Sequence, residues 1–392
     1  MKFAQRLAKL QTNVFADMDR AKAQAEAAGK TIIDLSLGSS DLPTPEPIIQ
    51  AIAAALTDST THGYLLHRAT QDFRNAVAKW YETRFKLTVN PETEVIPLIG
   101  SQEGTAHLPL AILNPGDFAL LQDPGYPSHS GGVYLAGGQV YTMTLLPENQ
   151  FLPNLGAIPP EVLAQSKMMV LSYPHNPTTA IAPLAFFEEA VAFCRHHNLI
   201  LVHDFPYLDL VFAESSPVPS ILQADPSKSL SIEFFTFSKS YNMGGFRIGY
   251  AIGNPQLIQA LRRIKAVIDF NQYVGILRGA IVALASSQDI IQDTVNIFQR
   301  RRDFSLQALA QIAWEVPIAH ATPYLWAQLP EPWSQDSVSF CTSLVQATGV
   351  ALAPGAGFGK GGEGYVRFAL VKEEATLSEA IERIGTFLNL IT

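Results

Sequence analysis

Cysteine is scarce in this chain, and the two that occur exclude a disulfide framework. Cys194 and Cys341 are the only cysteines among 392 residues, and they lie far apart in no metal-ligand spacing. Both thiols are therefore expected to be reduced and buried, which favours a reducing compartment such as the cytoplasm. The histidine pairs within 62–67 and 196–197 have no neighbouring cysteine or acidic ligand pattern, so no metal site is predicted.

Charge and long apolar runs are also in short supply. Charged residues make up 16 % of the chain, and the net charge of −8 argues against nucleic acid or an anionic membrane as a partner. No apolar run approaches the roughly 20 residues that a membrane helix needs, and the first 30 residues lack a signal-peptide core. Those residues instead show an amphipathic pattern, typical of a helix or arm that packs on the body or on a partner subunit.

Apolar sequence is what the chain has in quantity. It makes up 47 % of the 392 residues, enough for two domains with sizeable cores. From roughly residue 95 to 255, short apolar runs alternate with helical periods. This predicts an α/β domain whose mainly parallel sheet is covered by helices on both faces. We expect an N-terminal arm that is part of the small domain (1–45), a large domain (46–285) and a small C-terminal α+β domain (286–392).

Six strands are predicted in the large domain and three in the small one. They are 94–99, 118–122, 168–173, 199–203, 232–237 and 246–252, followed by 324–329, 350–353 and 365–370. The predicted helices include 70–85, 102–113 and 184–196, one long helix over 255–284 and another over 291–313. Ligands of such sheets bind beyond the carboxyl ends of the strands. Polar motifs follow five of the large-domain strands, so their functional groups are expected to meet at one edge.

One lysine stands between two predicted strands. Lys239 follows 232–237, lies beside Ser238, and precedes a glycine pair and Arg247. A lysine held between buried strands is partly desolvated, which favours the neutral amine that attacks a carbonyl. Pyridoxal phosphate requires an anchor of this kind. The alternative is a surface lysine with its charge in water. The hydroxyls, the glycines and the arginine favour the anchor, because they suit a phosphate and a flat ligand.

Other strand-end residues suit the ring of such a cofactor. Asp204 is costly to bury ionised, and a protonated ring nitrogen is a suitable partner; a helix N-cap or a salt bridge is the alternative. Asn176 and Tyr207 can both donate hydrogen bonds to a ring oxygen, although Asn176 precedes a proline and also suits a plain turn. Tyr126 follows a Pro-Gly turn and suits either stacking on a ring or a half-buried core position.

Three further motifs have both a functional and an ordinary interpretation. The segment 100–104 opens a predicted helix whose N–H groups suit a phosphate, but a helix capped by Ser101 needs no ligand. Arg367 alternates with apolar residues in a strand and is either a fork for a substrate carboxylate or an exposed edge arginine. The segment 359–364 matches a dinucleotide-binding glycine pattern, but it precedes a strand rather than a helix, so a mobile loop is predicted.

Taken together, these residues resemble the class I and II aminotransferases, a family of fold-type-I pyridoxal phosphate enzymes. The resemblance extends over nearly the whole chain. Its most specific part is Ser238-Lys239-(x)3-Met243-(x)3-Arg247-Ile248-Gly249, supported by Asn176-Pro177-Thr178 and Asp204-(x)2-Tyr207.

The resemblance implies a role for each residue. Lys239 would bind the cofactor as a Schiff base and shuttle a proton between the substrate Cα and the cofactor C4′. Asp204 would bind the pyridine nitrogen. Asn176 and Tyr207 would bind the ring oxygen, and Tyr126 would stack on the ring face. The substrate α-carboxylate would be bound by Arg367, Asn176 and the Gly38 backbone. The phosphate would be bound by five residues: Ser101, Gln102, Ser238, Arg247 and the partner subunit's Tyr64. The shared phosphate ligand implies a homodimer.

The loops on the substrate side depart from the family pattern. The opening Arg6…Leu35…Asp41-Leu42-Pro43-Thr44-Pro45 and the segment 100–117 are most similar to the LL-diaminopimelate aminotransferase-like branch. However, Thr179 and Ala69 replace usual glycines, and Ser39-Ser40 replaces a usual Asp-Pro. The segment 268–273 carries no arginine, so a second carboxylate clamp is not evident. These departures bear on side-chain specificity more than on cofactor binding.

The sequence therefore predicts a homodimeric aminotransferase that moves an amino group from an L-amino acid to a 2-oxo acid by ping-pong kinetics. LL-diaminopimelate is among the candidate donors, and the sequence does not decide between them. A β-eliminating C–S lyase with the same cofactor is the nearest alternative. A ligand-sensing regulator on the same fold is another, but such proteins usually carry a DNA-binding extension, and this acidic chain starts almost directly at its enzyme-like segment.

Overall fold

Twelve strands form three sheets in the computed structural model, which describes residues 3–4, 6–10 and 14–389. The strands are β1 (Ile33–Asp34), β2 (Val95–Leu98), β3 (Phe118–Asp123), β4 (Gln139–Thr144), β5 (Ser166–Ser172), β6 (Ile200–Asp204), β7 (Ser231–Thr236), β8 (Gly249–Gly253), β9 (Tyr324–Gln328), β10 (Val350–Ala351), β11 (Ala353–Pro354) and β12 (Tyr365–Ala369).

Fifteen α-helices connect and cover these strands in the described part of the chain. They are α1 (Arg6–Lys9), α2 (Val14–Ala27), α3 (Glu46–Leu56), α4 (Gln71–Phe85), α5 (Ser101–Ile112), α6 (Pro127–Leu135), α7 (Pro160–Leu163), α8 (Leu184–His196), α9 (Ile221–Ala224), α10 (Phe237–Ser240), α11 (Pro255–Ile268), α12 (Val274–Ala285), α13 (Asp289–Gln311), α14 (Ser337–Thr348) and α15 (Glu374–Asn389).

The central sheet has seven strands in the order β2-β8-β7-β6-β5-β3-β4. The pairs β3–β4, β3–β5, β5–β6 and β6–β7 are parallel, whereas β8 is antiparallel to both of its neighbours. Six strands therefore run in one direction and β8 alone runs in the other. The predicted mainly parallel sheet is confirmed.

Both faces of this sheet are buried. Successive residues of a strand point to opposite faces, so one strand contributes side chains to two cores. Met169 and Leu171 of β5 join one core together with residues of α4 and α8, while Met168 and Val170 join a second core with residues of α5 and α11. Strands buried on both faces read as near-continuous apolar runs, as residues 168–171 of β5 do. The predicted α/β class is confirmed.

The remaining strands form two small sheets. One is antiparallel in the order β11-β12-β9, with Arg367 opposite Trp326. In the other, β1 pairs in parallel with β10, which joins the N-terminal segment to the C-terminal part of the chain. Arg301 of α13 strengthens this join, because its two terminal nitrogens lie 2.7 and 2.8 Å from the two carboxylate oxygens of Asp41.

Three local predictions are wrong. The long helix over 255–284 is two helices, α11 and α12, separated by Asp269–Tyr273. The strand predicted from residue 246 begins at Gly249, because residues 244–246 form a 3-10 turn. The glycine-rich segment 359–364 is packed in 3-10 turns against the end of β3 rather than lying open. In addition, the edge strand β4 has no counterpart among the predicted strands.

No single helix within residues 3–4, 6–10 and 14–389 is both long and apolar enough to cross a membrane. Helices α12 and α13 pass such a test only as a pair, by length and composition, and they are bent by 84° relative to each other.

Candidate functional site

The strand directions bring the predicted residues to one edge of the central sheet. The carboxyl ends of β2, β3, β5, β6 and β7 all lie at this edge, and because β8 is reversed its amino end lies there too. Asp204 is the last residue of β6, and Lys239 lies in the short helix directly after β7. Arg247 lies just before β8 begins.

Lys239 is held in a fixed position by the turn that contains it. Thr236 ends β7 and caps helix α10, because its hydroxyl oxygen accepts a hydrogen bond from the Ser238 N–H at 3.2 Å. The half-buried Lys239 ammonium donates to the Gly38 carbonyl oxygen at 2.6 Å and lies 5.7 Å from the centre of the Tyr207 ring. The lysine therefore bridges the central sheet and the N-terminal segment.

Asp204 is buried with one oxygen unpaired. It is 3 % exposed, and its Oδ2 lies 3.0 Å from Nε2 of His129 in helix α6. Its Oδ1 is buried and has no hydrogen-bond partner. A buried carboxylate oxygen without a partner is costly, so this atom is well placed to accept a proton-bearing ligand group. No sequence pattern indicates His129, because it lies 75 residues away from Asp204 in the chain.

A second set of unpaired groups lies at the start of helix α5. The helix begins at Ser101 without a side-chain cap. The Glu103 N–H donates to the Gly100 carbonyl oxygen at 3.2 Å, so the Ser101 and Gln102 N–H groups are the ones without an acceptor in the helix. Gly100 adopts a φ of +74°, and a Cβ atom on it would lie 2.4 Å from Arg247 Nη2. The guanidinium of Arg247 therefore packs directly against the helix start. Free N–H groups, a helix dipole and an arginine together form an anion site.

Two further predicted phosphate ligands lie at this edge of the sheet. Ser238 follows β7 at the same edge, and its hydroxyl oxygen accepts a hydrogen bond from the Thr236 hydroxyl at 2.9 Å. Gln102 is exposed in the first turn of α5. Arg247 itself has a left-handed φ of 52°, and its Nη1 donates to the Gly244 carbonyl oxygen at 2.9 Å.

Arg367 of β12 and Asn176, which follows β5, form a buried pair that joins the three-stranded sheet to the central sheet. Arg367 Nη1 donates to Asn176 Oδ1 at 2.8 Å, and its Nη2 donates to the Ser36 carbonyl oxygen at 2.7 Å. Its Nε is buried without a partner. Since the Asn176 Oδ1 accepts from the arginine, the amide Nδ2 is the group left to donate to a ligand. Arg367 is thus a buried strand residue rather than an exposed edge arginine.

Two tyrosines join this pair to Lys239. The hydroxyl of Tyr207 lies 2.9 Å from that of Tyr324, and the Arg367 guanidinium lies 4.2 Å from the centre of the Tyr324 ring. Burial raises the pKa of Tyr207 well above its usual value. Burial also opposes ionisation of Tyr324, but the charges of Lys239 and Arg367 outweigh it and lower the pKa of that hydroxyl. Tyr324 lies in a correctly predicted strand, yet no sequence pattern indicates this contact.

Two other predicted ligands lie at the periphery. Tyr126 is partly exposed at the start of α6, and its ring centre is 5.7 Å from that of His129 in an edge-to-face arrangement. Tyr64 is 94 % exposed, and its ring centre is 6.4 Å from that of Phe270. Tyr64 therefore points away from its own chain's core, as expected of a residue that serves another subunit.

The unpaired groups fit pyridoxal phosphate. The orphaned Asp204 oxygen suits a protonated pyridine nitrogen, and the uncapped start of α5 beside Arg247 suits the phosphate. Lys239 lies at the same edge and supplies an amine for the aldehyde. Each group has the chemistry that one part of the cofactor requires.

A nearby cluster of acidic side chains is already paired with a lysine. Glu103, His107 and Asp269 have ligand atoms within 4.8 Å of one another. However, the Lys265 ammonium donates to both Glu103 oxygens at 3.0 and 2.9 Å and to Asp269 at 3.1 Å. The lysine offsets one of the two carboxylate charges. Its partner Glu103 also accepts from the Ile99 N–H at 2.6 Å, which stabilises the turn before α5.

Comparison with known proteins finds matches that extend over nearly the whole chain. A family model described as aminotransferase class I and II matches residues 30–384. An LL-diaminopimelate aminotransferase of Dehalococcoides mccartyi is 43 % identical over 387 residues, covering 99 % of both chains. An LL-diaminopimelate aminotransferase of Nitratidesulfovibrio vulgaris is 41 % identical over 384 residues, 98 % of both chains.

Solved structures are also similar. A probable N-succinyldiaminopimelate aminotransferase from Thermus thermophilus superposes with a TM-score of 0.90 at 42 % identity, covering 95 % of this chain and 99 % of that one. Substrate-bound BacF from Bacillus subtilis superposes with a TM-score of 0.94 at 33 % identity, covering 99 % and 98 %.

Proposed function

Because the chain belongs to the class I and II aminotransferases, we propose that it transfers an amino group from LL-diaminopimelate to a 2-oxo acid. Membership makes it a pyridoxal phosphate-dependent aminotransferase, whose substrates are amino acids and 2-oxo acids. The identity of the donor is the proposal. It is supported by relatives of that name, which are 43 and 41 % identical over nearly their full lengths.

The observation that carries the catalytic assignment is the unpaired Asp204 oxygen at the edge where Lys239 also lies. When bound, pyridoxal phosphate supplies two things: an aldehyde carbon that accepts the amino group of the substrate, and a ring that stabilises negative charge at the substrate Cα. Asp204 then keeps the ring nitrogen protonated, while His129 holds the carboxylate in place. Lys239 is proposed to hold the aldehyde and to move the proton at the substrate Cα.

The other predicted residues are proposed to bind and orient. The Asn176 amide and the Tyr207 hydroxyl donate to the ring oxygen, and Tyr126 covers one face of the ring. Arg367 holds the substrate α-carboxylate through N–H groups that its internal bonds leave available, next to the Gly38 backbone. The phosphate is bound by the start of α5 and flanking polar groups, namely Ser101, Gln102, Ser238 and Arg247, together with the partner subunit's Tyr64.

The position of Tyr64 supports the proposed homodimer. Its ring is almost fully exposed, and large apolar side chains near it in space or sequence are exposed too: Leu66, Val267, Ile268 and Phe270. Apolar surface of this kind is typical of an interface. A molecular mass measured by light scattering that matches two chains would agree with the proposal, and a single-chain mass in the holoenzyme would contradict it.

The division into domains is also kept as a proposal. All seven strands of the central sheet fall within 46–285, and the three-stranded sheet falls within 286–392. Pairing of β1 with β10 supports the assignment of 1–45 partly to the small domain. The two buried free cysteines support the predicted reducing compartment, the cytoplasm.

The test of the proposed donor is a half-reaction. Purified enzyme loaded with pyridoxal phosphate is mixed with one amino acid at a time, and formation of pyridoxamine phosphate is followed by absorbance. We expect LL-diaminopimelate to react with a higher kcat/KM than aspartate, glutamine, alanine or aromatic amino acids. N-succinyl-LL-diaminopimelate is included because of the Thermus protein's name. A clear preference for the succinylated compound would replace the proposed donor, and no product with any amino acid would reject transamination.

A further inference from the structure

Asp123 is a buried carboxylate that the proposed reaction does not use. It is the last residue of β3 and 7 % exposed, and it lies just before the turn that presents Tyr126. Its Oδ1 accepts a hydrogen bond from the Gly361 N–H at 2.9 Å. Burial raises the pKa of this carboxyl above its usual value. A buried acid held by a single backbone donor is costly, which raises the question of what it does there.

The partner of Asp123 is the docked loop, which we define as residues 355–362. The loop consists of two 3-10 turns, Gly355–Phe358 and Lys360–Gly362. A second hydrogen bond joins it to the large domain, since the Gly125 N–H donates to the Phe358 carbonyl oxygen at 2.7 Å. The docked loop is therefore bound at two points to the turn that follows β3.

The glycines of the docked loop are shaped to this contact. Gly359 has a φ of +120°, and a Cβ atom there would lie 2.2 Å from Asp123 Oδ1. A Cβ on Gly361 would lie 2.7 Å from the Asp123 carbonyl oxygen. No other residue fits at either position without moving the loop away, so the glycines permit close approach rather than motion.

The docked loop in turn supports the arginine proposed to bind the substrate. The Phe358 ring centre lies 4.8 Å from the Arg367 guanidinium carbon, and the Tyr324 ring centre lies 4.2 Å from it. Aromatic faces attract a guanidinium and restrict its position. Phe358 also packs on Trp326, with ring centres 5.9 Å apart, and the contact of the docked loop with β3 is a second restraint on its position.

We propose that Asp123 is a positioning residue for substrate binding: by anchoring the docked loop it keeps Phe358 against Arg367 and so sets the affinity for the substrate α-carboxylate. This inference rests on the proposed role of Arg367. Asp123 touches neither substrate nor cofactor in this scheme, and it acts only through the loop.

The test compares substrates with and without the carboxylate. L-Alanine and ethylamine differ only in the α-carboxylate, and each is reacted in single turnovers with the holoenzyme. The variants are Asp123→Ala, which removes the anchor, Asp123→Asn, which keeps an acceptor oxygen, and Gly359→Ala, which pushes the loop off the carboxylate. Gly116→Ala is the matched control, because Gly116 has a φ of +96° but open space around its Cα.

We expect Asp123→Ala and Gly359→Ala to raise the half-saturating L-alanine concentration about tenfold, as expected for loss of a hydrogen bond to a charged group. The saturating rate and the ethylamine reaction should change less than about twofold. Asp123→Asn should stay within about threefold of the wild type, as should Gly116→Ala. Hydrogen–deuterium exchange gives a readout independent of activity: the Gly361 amide should exchange faster in Asp123→Ala and Gly359→Ala only.

Equal losses with L-alanine and ethylamine, or unchanged exchange at Gly361 in Asp123→Ala, would overturn the assignment. Arg367→Ala separates this failure from that of the proposed function. If Arg367→Ala keeps the preference for L-alanine over ethylamine, the proposed role of Arg367 is wrong and the assignment of Asp123 is lost with it. If Arg367→Ala loses that preference while Asp123→Ala and Gly359→Ala keep it, only the assignment of Asp123 is wrong.

Discussion

Two buried acid–histidine pairs involve the neighbouring strands β6 and β7 of the central sheet, and they differ in whether both carboxylate oxygens have a partner. Glu233 of β7 pairs with His203 of β6, with Nδ1 of the histidine 2.8 Å from the carboxylate. Asp204, the next residue of β6, pairs with His129 at 3.0 Å. Glu233 has partners on both oxygens, whereas Asp204 Oδ1 has none.

The closed pair, Glu233 with His203, is complete without a ligand. Glu233 also accepts from the Tyr81 hydroxyl at 3.1 Å, the Ser220 hydroxyl at 2.9 Å and the Ile221 N–H at 2.8 Å. A fully satisfied buried network stabilises and specifies a fold. The open pair, Asp204 with His129, leaves one acceptor unused. An unpaired buried oxygen, rather than burial or charge, therefore distinguishes Asp204, the carboxylate proposed to bind the cofactor, from Glu233.

The largest expected effect is on the open pair. Asp204→Asn keeps the shape of the side chain but removes the charge proposed to hold the ring proton. We expect kcat/KM to fall about 100- to 1,000-fold, the usual loss for one preorganised electrostatic group. Urea unfolding of the apoprotein should show no loss of stability, because a buried, half-satisfied carboxylate becomes neutral. Near wild-type activity would remove the distinction between the pairs.

Removing the closed pair should have the opposite signature. Glu233→Ala leaves several buried donors without an acceptor, so we expect the free energy of unfolding to fall by about 3 to 5 kcal/mol. The kcat of the folded fraction, corrected by active-site titration, should stay within about threefold of the wild type. A stable but inactive Glu233→Ala protein would show that this pair, too, serves catalysis.

A third buried histidine sharpens the comparison, because it has no carboxylate partner. Burial, aided by the nearby His129, lowers the pKa of His175 to about 3. The unfolded chain therefore binds a proton here that the folded chain does not, so stability is lost as the pH falls from about 6.5 toward 3. His175→Gln should reduce the slope of unfolding free energy against pH by up to about 1.4 kcal/mol per unit between about pH 4 and 6.

The control for this experiment is His196→Gln, since His196 is exposed at the end of α8. The slope of unfolding free energy against pH should be smaller in His175→Gln than in this control. An unchanged slope in His175→Gln would show that His175 is not the group responsible for the loss of stability in acid.

The smallest expected effect concerns Tyr64, which lies outside both pairs. Tyr64→Phe keeps the ring contact with Phe270 and removes only the hydroxyl proposed to reach the partner's phosphate site. The dissociation constant for pyridoxal phosphate, measured by equilibrium dialysis, should rise about threefold, as expected for one exposed hydrogen bond. No rise in the dimer would remove Tyr64 from the proposed site.

The open pair also shows which parts of the candidate site could be predicted from the sequence. Asp204 and Lys239 were predictable because apolar runs mark strands, and strand ends of a parallel sheet meet at one edge. His129 and Tyr324 were not, since their contacts depend on how α6 and β9 dock. The edge strand β4 was missed because most of its residues are polar or tyrosine and most are partly exposed, which weakens the apolar signal.

Tertiary contacts also override local sequence between α11 and α12. No glycine or proline interrupts residues 256–274, so a continuous helix was the natural expectation. Instead Phe270 takes a left-handed φ of 58°, and the side chains of Asn271 and Gln272 donate to the Leu65 and Leu98 carbonyl oxygens, each at 3.0 Å. These acceptors are 206 and 174 residues away in the chain, beyond any local pattern.

The single reversed strand has a practical consequence for anyone who engineers this protein. Because β8 turns back beside β7, the amine at 239 and the guanidinium at 247 are separated only by one short connector, whose length sets the spacing between them. Inserting a single amino acid there would leave every strand pairing intact but would change the distance between the Lys239 amine and the Arg247 guanidinium. Anyone who replaces or randomises this loop should therefore keep the length of the connector unchanged.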